Sequence, residues 1–232
     1  MNTLLPPEGD ALRLVVFDWD GTLMDSPRRI VHCLQRTCVA LGQATPPESA
    51  LRDIIGLGVE AAVQKLFPGA DPAFVAAFAA TYRRCYLTAT DAPETPMFAH
   101  VAPLLDWLDE RGVLLGVATS KSRAGLDQAL EATGLQGRFV ATACGDEHPS
   151  KPSPVMLEHV MHRCGVERSR TRMVGDSVYD LRMARAAGVP SLAVAHGVHD
   201  DRRLADENPL AVARDLKELL ELLRQSEPLP ED

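Results

Sequence analysis

Residues 14–26 place two acidic side chains directly after a short apolar run. The run Leu-Val-Val-Phe leads into Asp18-Trp19-Asp20-Gly21. An apolar run that stops at a glycine turn is typical of a buried strand ending in a loop. Residues i and i+2 of an extended backbone point to the same side, so the carboxylates of Asp18 and Asp20 are expected to converge. Two adjacent carboxylates repel each other, and the turn therefore predicts a neighbouring cation or positive side chain.

Composition limits the kinds of partner. The chain has 232 residues, 46% of them hydrophobic, which is typical of a globular protein. Its formal net charge of −8 argues against nucleic acid as a partner, since nucleic-acid-binding domains usually carry a basic stripe. No apolar run approaches the roughly 20 residues needed to span a bilayer. The five scattered cysteines form no C-x-x-C pair and favour reduced thiols in the cytoplasm over disulfides or zinc.

Short apolar runs alternate with amphipathic stretches of helical length. This alternation predicts an α/β fold, a Rossmann-like parallel sheet covered by helices on both faces. The predicted strands are Leu12–Phe17, Val113–Thr119, Phe139–Ala143, Arg172–Gly175 and Ser191–Ala195, with Ala211–Ala213 as a candidate sixth. The predicted helices between and after them are His100–Arg111, Arg123–Thr133, Pro154–Cys164, Val178–Ala187 and Asp215–Arg224.

One interval breaks this alternation. Asp20 and Thr119 are separated by far more than the roughly 30 residues of a βαβ unit. The excess contains only helical patterns, at Arg28–Leu41, Pro47–Ile55, Val59–Phe67 and Pro72–Thr90. We therefore expect an all-helical domain at residues 26–93, inserted after strand 1, and an α/β core formed by residues 1–25 and 94–232.

Further polar residues follow or flank the other predicted strands. Thr119-Ser120 ends the second strand, Lys151 precedes a helix, and Asp176 and Asp180 follow the fourth strand. Ligands of open α/β sheets bind outside the carboxyl ends of the strands, where the strand order reverses. A shared site therefore predicts the order 5-4-1-2-3, with Asp18 at the switch point.

The residue types at this site indicate phosphoryl chemistry. Asp18, Asp176 and a backbone carbonyl near Asp20 are hard oxygen ligands suited to Mg²⁺. The Thr119 hydroxyl and the Lys151 ammonium suit a phosphoryl group. A carboxylate beside these groups can attack phosphorus and form an aspartyl-phosphate. A second carboxylate two residues later can protonate the leaving oxygen and then activate water.

These motifs resemble those of the haloacid dehalogenase-like phosphohydrolase superfamily. Asp18-x-Asp20-Gly21-Thr22, Thr119, Lys151 and Gly175-Asp176-x-x-x-Asp180 follow the family's motif order, and the helical insert resembles its C1-type cap. The pattern is most similar to the phosphoglycolate phosphatase branch.

The resemblance implies a role for each of these residues. Asp18 would be the nucleophile and Asp20 the general acid/base. Thr119, Ser120 (through its backbone) and Lys151 would bind phosphate, and Asp18, Asp20 and Asp176 would bind Mg²⁺. Asp180 would support the site by orienting Lys151 or a metal-bound water. The expected substrate is a small phosphorylated metabolite such as phosphoglycolate.

Several alternatives stay open from the sequence. A β-phosphoglucomutase-like phosphotransferase would have the same core. A phospho-aspartate signalling or binding module is less favoured, because receiver domains lack both the helical insert and the second acidic motif. The sequence does not choose between monomer and dimer.

The sequence also suggests roles for residues outside the motifs. Arg52 and Lys65 of the insert are candidates to contact an anionic substrate tail. His196 and His199 are expected in a solvated loop.

Overall fold

The computed structural model of the chain describes residues 12–225. Six parallel strands form one sheet, and from the β6 edge their order is 6-5-4-1-2-3. The predicted order 5-4-1-2-3 is thus present, with the candidate sixth strand added at the edge. The strands are β1 Leu14–Phe17, β2 Leu114–Thr119, β3 Ala141–Cys144, β4 Thr171–Gly175, β5 Ser191–Val194 and β6 Ala211–Ala213.

The predicted helices are all present, with ends that differ by a few residues. Two short elements were not predicted: a helix at Asp201–Ala205 and a 3-10 turn at Arg168–Arg170. The α-helices are α1 Pro27–Ala40, α2 Glu48–Asp53, α3 Val59–Leu66, α4 Pro72–Thr88, α5 Val101–Glu110, α6 Arg123–Thr133, α7 Val155–Cys164, α8 Val178–Ala187, α9 Asp201–Ala205 and α10 Leu216–Gln225. Within residues 12–225, no helix is both long and apolar enough to cross a membrane.

Strand β1 lies at the centre of the sheet and is buried on both faces. Leu14 and Val16 pack in one cluster with residues of α7 and α8, whereas Val15 and Phe17 pack in the other with residues of α5, α6 and α10. This alternation follows from the two-residue period of a strand. It explains why β1 is continuously apolar, as expected for a parallel strand covered on both sides.

Helices α1 to α4 span Pro27–Thr88, after β1, and lie within the predicted helical insert of residues 26–93. The insert has an apolar cluster of its own, which includes Leu34, Leu51, Val63 and Phe78. Its loop at residues 54–58 and its helix α4 face the carboxyl end of the sheet. Residues 1–11 and 226–232 of the predicted α/β core lie outside the described part of the chain.

Candidate active site

The sheet register brings the predicted site residues together. Phe17 of β1 pairs with Val117 of β2 on one side and with Val174 of β4 on the other. Asp18 therefore leaves the sheet between Thr119 and Asp176, which extend from these neighbouring strands. Asp18, Thr119 and Asp176 are all nearly inaccessible to solvent. The structure thus brings these predicted site residues together at one edge of the sheet.

Lys151 connects two of the predicted acidic residues. Its Nζ lies 2.8 Å from Asp18 Oδ1 and 2.6 Å from Asp180 Oδ1, and all three side chains are buried. Burial lowers the pKa of Lys151, but the two carboxylates outweigh it and raise the pKa above its ordinary value. Asp180 is itself fixed at the start of α8, where its Oδ2 accepts hydrogen bonds from the Ser177 backbone N–H (3.0 Å) and hydroxyl (2.6 Å). The ammonium group is therefore charged and held beside Asp18.

Two loops enclose Asp176, one that follows β1 and one that follows β5. Thr22 Oγ1 donates to its Oδ1 at 2.7 Å, and the Val198 N–H donates to its Oδ2 at 2.8 Å. A Cβ atom at Gly21 would lie 2.3 Å from Asp176 Oδ2, and one at Gly197 would lie 2.1 Å from it. Gly21 also has φ +88°, a left-handed conformation that favours glycine. The glycines allow both loops to approach the carboxylate.

The electrostatics of the site require additional positive charge. Carboxylate oxygens of Asp18, Asp176 and Asp180 lie within 4.8 Å of one another. Counting Asp20 as well, four ionised carboxylates would face the two ammonium groups of Lys121 and Lys151, an excess of two negative charges. Burial raises the pKa of Asp18 to about 7 and the pKa of Asp176 well above its ordinary value, with repulsion from Asp180 adding to both. A clustered set of carboxylate oxygens with this excess fits a divalent cation such as Mg²⁺.

The Asp20 carboxylate contacts Lys121 rather than Lys151. Lys121 Nζ lies 2.9 Å from both Asp20 oxygens, and Ser26 Oγ donates to Oδ1 at 2.6 Å. On the insert side, the Tyr86 hydroxyl accepts from Lys121 Nζ at 2.9 Å. Sequence reasoning missed Lys121 and Tyr86. For Lys121 a signal was present, because it directly follows Thr119-Ser120 at the end of β2.

The helical insert covers the site and forms a small cavity with the core. Ser120 Oγ donates to the Gly56 carbonyl at 2.7 Å, and the Gly58 N–H donates to Ser150 Oγ at 2.7 Å. The cavity volume is about 80 Å³, and Asp18, Asp20 and Thr119 line its core side. Pockets for drug-sized ligands typically have roughly 300–1,000 Å³, so this cavity suits a small molecule.

Two sequence expectations about charged residues of the insert were wrong. Arg52 and Lys65 are not among the residues that line the cavity. Lys65 Nζ instead contacts Asp53 Oδ2 at 2.6 Å and the Tyr179 hydroxyl at 2.8 Å, in a network between insert and core. The ammonium group of Lys65 is bound to an acid and a hydroxyl on neighbouring elements, and it therefore does not face the cavity.

The expectation of a solvated loop was wrong for His199, whereas His196 is half-buried. His199 is 3% exposed, and its Nδ1 accepts a hydrogen bond from the Val178 N–H at the start of α8 (3.0 Å). Burial and, secondarily, Arg203 lower the pKa of His199 to about 4, so the ring is neutral. His196 stacks on Phe98 at a ring-centroid distance of 4.0 Å, and its Nε2 lies 3.1 Å from the Thr22 carbonyl oxygen. Both rings therefore support loops of the site.

Comparison with known proteins agrees with this geometry. A family model described as haloacid dehalogenase-like hydrolase matches residues 15–194. The chain belongs to this family. Among its relatives, a phosphoglycolate phosphatase of Pseudomonas syringae pv. tomato is 31% identical and aligns over 91% of this chain and 80% of its own length. A probable phosphatase IndB of Dickeya dadantii is 34% identical over 89% of this chain and 91% of its own length.

Solved structures share the fold. A predicted phosphatase from Clostridium acetobutylicum has a TM-score of 0.83 at 24% identity, covering 92% of this chain and 99% of its own. A putative β-phosphoglucomutase from Bacteroides vulgatus has a TM-score of 0.78 at 18% identity, covering 94% and 91%. At these identities the structures establish the fold, and the named relatives establish the reaction type. The chain is a hydrolase of the phosphatase type.

Proposed function

We propose that the chain hydrolyses a small phosphomonoester with Mg²⁺, through an aspartyl-phosphate on Asp18. The observation that carries the proposal is the buried contact of Asp18 with Lys151, 2.8 Å apart, beside Asp176, where Asp18 lines the small cavity under the insert. A carboxylate placed there can reach a phosphorus atom whose oxygens are bound by Lys151 and Thr119.

In the proposed reaction Asp18 and Asp20 have different roles in each of two chemical steps. Asp18 forms a bond to phosphorus while the bond from phosphorus to the leaving oxygen breaks, and Asp20 gives that oxygen a proton. Water then attacks the same phosphorus, its proton passes to Asp20, and the bond to Asp18 breaks. The products are the free alcohol and inorganic phosphate, and both aspartates return to their first state.

Other residues hold the phosphoryl group and its charge. The Thr119 hydroxyl, the Ser120 backbone N–H and Lys151 are the groups we assign to the phosphoryl oxygens. Asp18, Asp176 and the backbone at Asp20 would hold Mg²⁺, which supplies positive charge next to the phosphoryl oxygens. Asp180 keeps Lys151 in place through their 2.6 Å contact.

The helical insert is proposed to act as a cap, with domain boundaries at residues 26–93. Its contacts with Ser120 and Ser150 cover the cavity, so closure would exclude water and select the alcohol portion of the substrate. Removal of residues 26–93 should therefore broaden specificity among phosphomonoesters. An unchanged ranking of substrates would contradict the assignment of a selecting cap.

Phosphoglycolate or a similar small ester is the substrate that we propose. Two observations support it. The relative of Pseudomonas syringae pv. tomato is named phosphoglycolate phosphatase, and the cavity volume is only about 80 Å³. The cytoplasm is the proposed compartment, because all five cysteines are free thiols. A phosphotransferase would use the same core, and release of inorganic phosphate distinguishes the two reactions.

The nucleophile assignment is tested by Asp18→Asn with p-nitrophenyl phosphate as substrate. The variant should retain its circular dichroism spectrum and lose phosphate release, because an amide cannot form the acyl phosphate. A matched variant, Asp25→Asn, changes an acid of the same loop that does not line the cavity and should remain active. Activity of the Asp18 variant at the wild-type level would refute the mechanism. Full wild-type activity in EDTA would refute the metal requirement.

A further inference from the structure

Lys121 is a buried charge that the proposed reaction does not use. Its side chain is only 5% exposed, and its Nζ lies 2.9 Å from each Asp20 oxygen. The same Nζ lies 2.9 Å from the Tyr86 hydroxyl and 4.1 Å from the centroid of the Tyr86 ring. A lysine in this position loses hydration and side-chain entropy, so its presence beside the reacting groups calls for an explanation.

The place of Lys121 in the cavity indicates which part of a substrate it would meet. Lys151 contacts Asp18, at the end of the cavity where phosphorus would be bound. Asp20, which we assign to proton transfer, must lie next to the leaving oxygen. Because Lys121 contacts Asp20 directly, the substituent on the leaving alcohol lies within its reach. The two lysines thus face two different parts of one small ester.

The insert side of the cavity is mainly apolar and offers few groups for a polar substituent. Ile54, Ile55 and Leu57 of the insert form apolar walls and offer no side-chain hydrogen bonds. Arg83 also lines the cavity, but its guanidinium is paired with Glu60 at 2.7 Å. The Tyr86 hydroxyl lies 3.5 Å from Asp20 Oδ1, a long contact that leaves it free to turn to another acceptor. A carboxylate is the acceptor that an ammonium group and a phenol can bind together.

We propose that Lys121 and Tyr86 bind a carboxylate on the leaving alcohol, and so select phosphorylated hydroxy acids over uncharged esters. This inference rests on the proposed phosphatase function. In phosphoglycolate a single methylene joins the bridging oxygen to the carboxylate, so the carboxylate comes next to Lys121 when Asp20 faces the bridging oxygen. Because Tyr86 belongs to the helical insert, this selection requires the insert to be closed over the core.

The test compares phosphoglycolate with phosphoglycolamide, in which an uncharged amide of similar size replaces the carboxylate. The full-length protein with Mg²⁺ is assayed for phosphate release, and the ratio of kcat/KM for the acid to that for the amide is measured. Lys121→Met should lower this ratio by about 10- to 100-fold, the effect expected for a lost hydrogen bond to a charged group. Tyr86→Phe should lower it by less, because the ammonium group remains.

Control variants separate this role from a general structural one. Lys217→Met removes an exposed lysine of α10 and should leave the ratio at the wild-type value. If Lys121→Met does not fold, Lys121→Gln provides the same comparison with a polar side chain. A purely structural role would lower kcat/KM for both esters equally and keep the ratio constant.

The outcomes distinguish failure of this inference from failure of the proposed function. Equal ratios in wild type and the Lys121 variant would overturn the inference, as would a wild type without preference for the acid. In both cases hydrolysis of p-nitrophenyl phosphate by the wild type would leave the phosphatase function standing. A wild type that releases phosphate from none of the three esters would overturn both.

Discussion

Replacing Asp18 by asparagine should change how the stability of the metal-free protein depends on pH. Burial raises the pKa of Asp18 from 3.8 to about 7, although the nearby Lys151 ammonium acts in the opposite direction. Between these two values the folded protein holds a proton that the unfolded chain has released. The contribution of Asp18 to the free energy of unfolding is therefore fully present below about pH 4, and it is lost as the pH rises to about 7.

The size of the effect follows from the two pKa values. Each pKa unit corresponds to about 1.4 kcal/mol, so the change from 3.8 to about 7 amounts to about 4 kcal/mol. Asparagine does not titrate. The free energy of unfolding of the wild type, minus that of Asp18→Asn, should thus fall by about 4 kcal/mol between about pH 4 and about pH 8.

Urea unfolding in EDTA, followed by circular dichroism, measures both free energies at a series of pH values. The pKa of His199 is lowered to about 4, so this residue makes the free energy of unfolding rise with pH. His199 is present in both proteins, and its contribution cancels in the difference. Addition of Mg²⁺ near neutral pH should stabilise the wild type more than the variant, because the ion binds the ionised carboxylate. A difference that stays constant or rises with pH would refute the burial argument.

Other contacts give further testable outcomes. Gly197→Ala places a Cβ 2.1 Å from Asp176 Oδ2 and should weaken activation by Mg²⁺ at least about tenfold in a metal titration of activity. Thr22→Val removes the 2.7 Å hydrogen bond to buried Asp176 and should cost about 1–3 kcal/mol in urea unfolding. Tyr179→Phe removes a hydroxyl that joins Lys65 and Asp53 of the insert to the core, and should raise KM more than it lowers kcat. Unchanged values in these assays would contradict each argument in turn.

The arrangement of the candidate site residues was predictable because it depends on backbone direction. Asp18, Thr119 and Asp176 each stand at the carboxyl end of a strand, and parallel strands bring these ends to one edge. Apolar runs and turn residues locate such ends in a sequence. The insert was predictable for a similar reason, since its length and helical patterns are local properties.

The partners of individual side chains were not predictable in this way. Lys121 meets Tyr86 across the boundary between core and insert, and Lys65 meets Tyr179 across the same boundary. The buried ring of His199 accepts from the Val178 N–H at the start of α8, 21 residues earlier in the chain. Such pairings depend on how separate elements pack, and a linear pattern carries no information about that packing.

The contacts between insert and core lie beside several parts of the proposed reaction. The Gly56 carbonyl accepts from Ser120, which we assign to phosphate binding. Tyr86 contacts the lysine that holds Asp20, on the side of the leaving alcohol. Asp53 is bound by Arg203 at 2.6 Å, in a helix that follows the loop enclosing Asp176. Because these contacts require the closed arrangement, a substrate that prevents closure would lose the Lys121–Tyr86 pair and the cover over the cavity together. The proposed selection of the alcohol and the proposed exclusion of water would then depend on a single closure event.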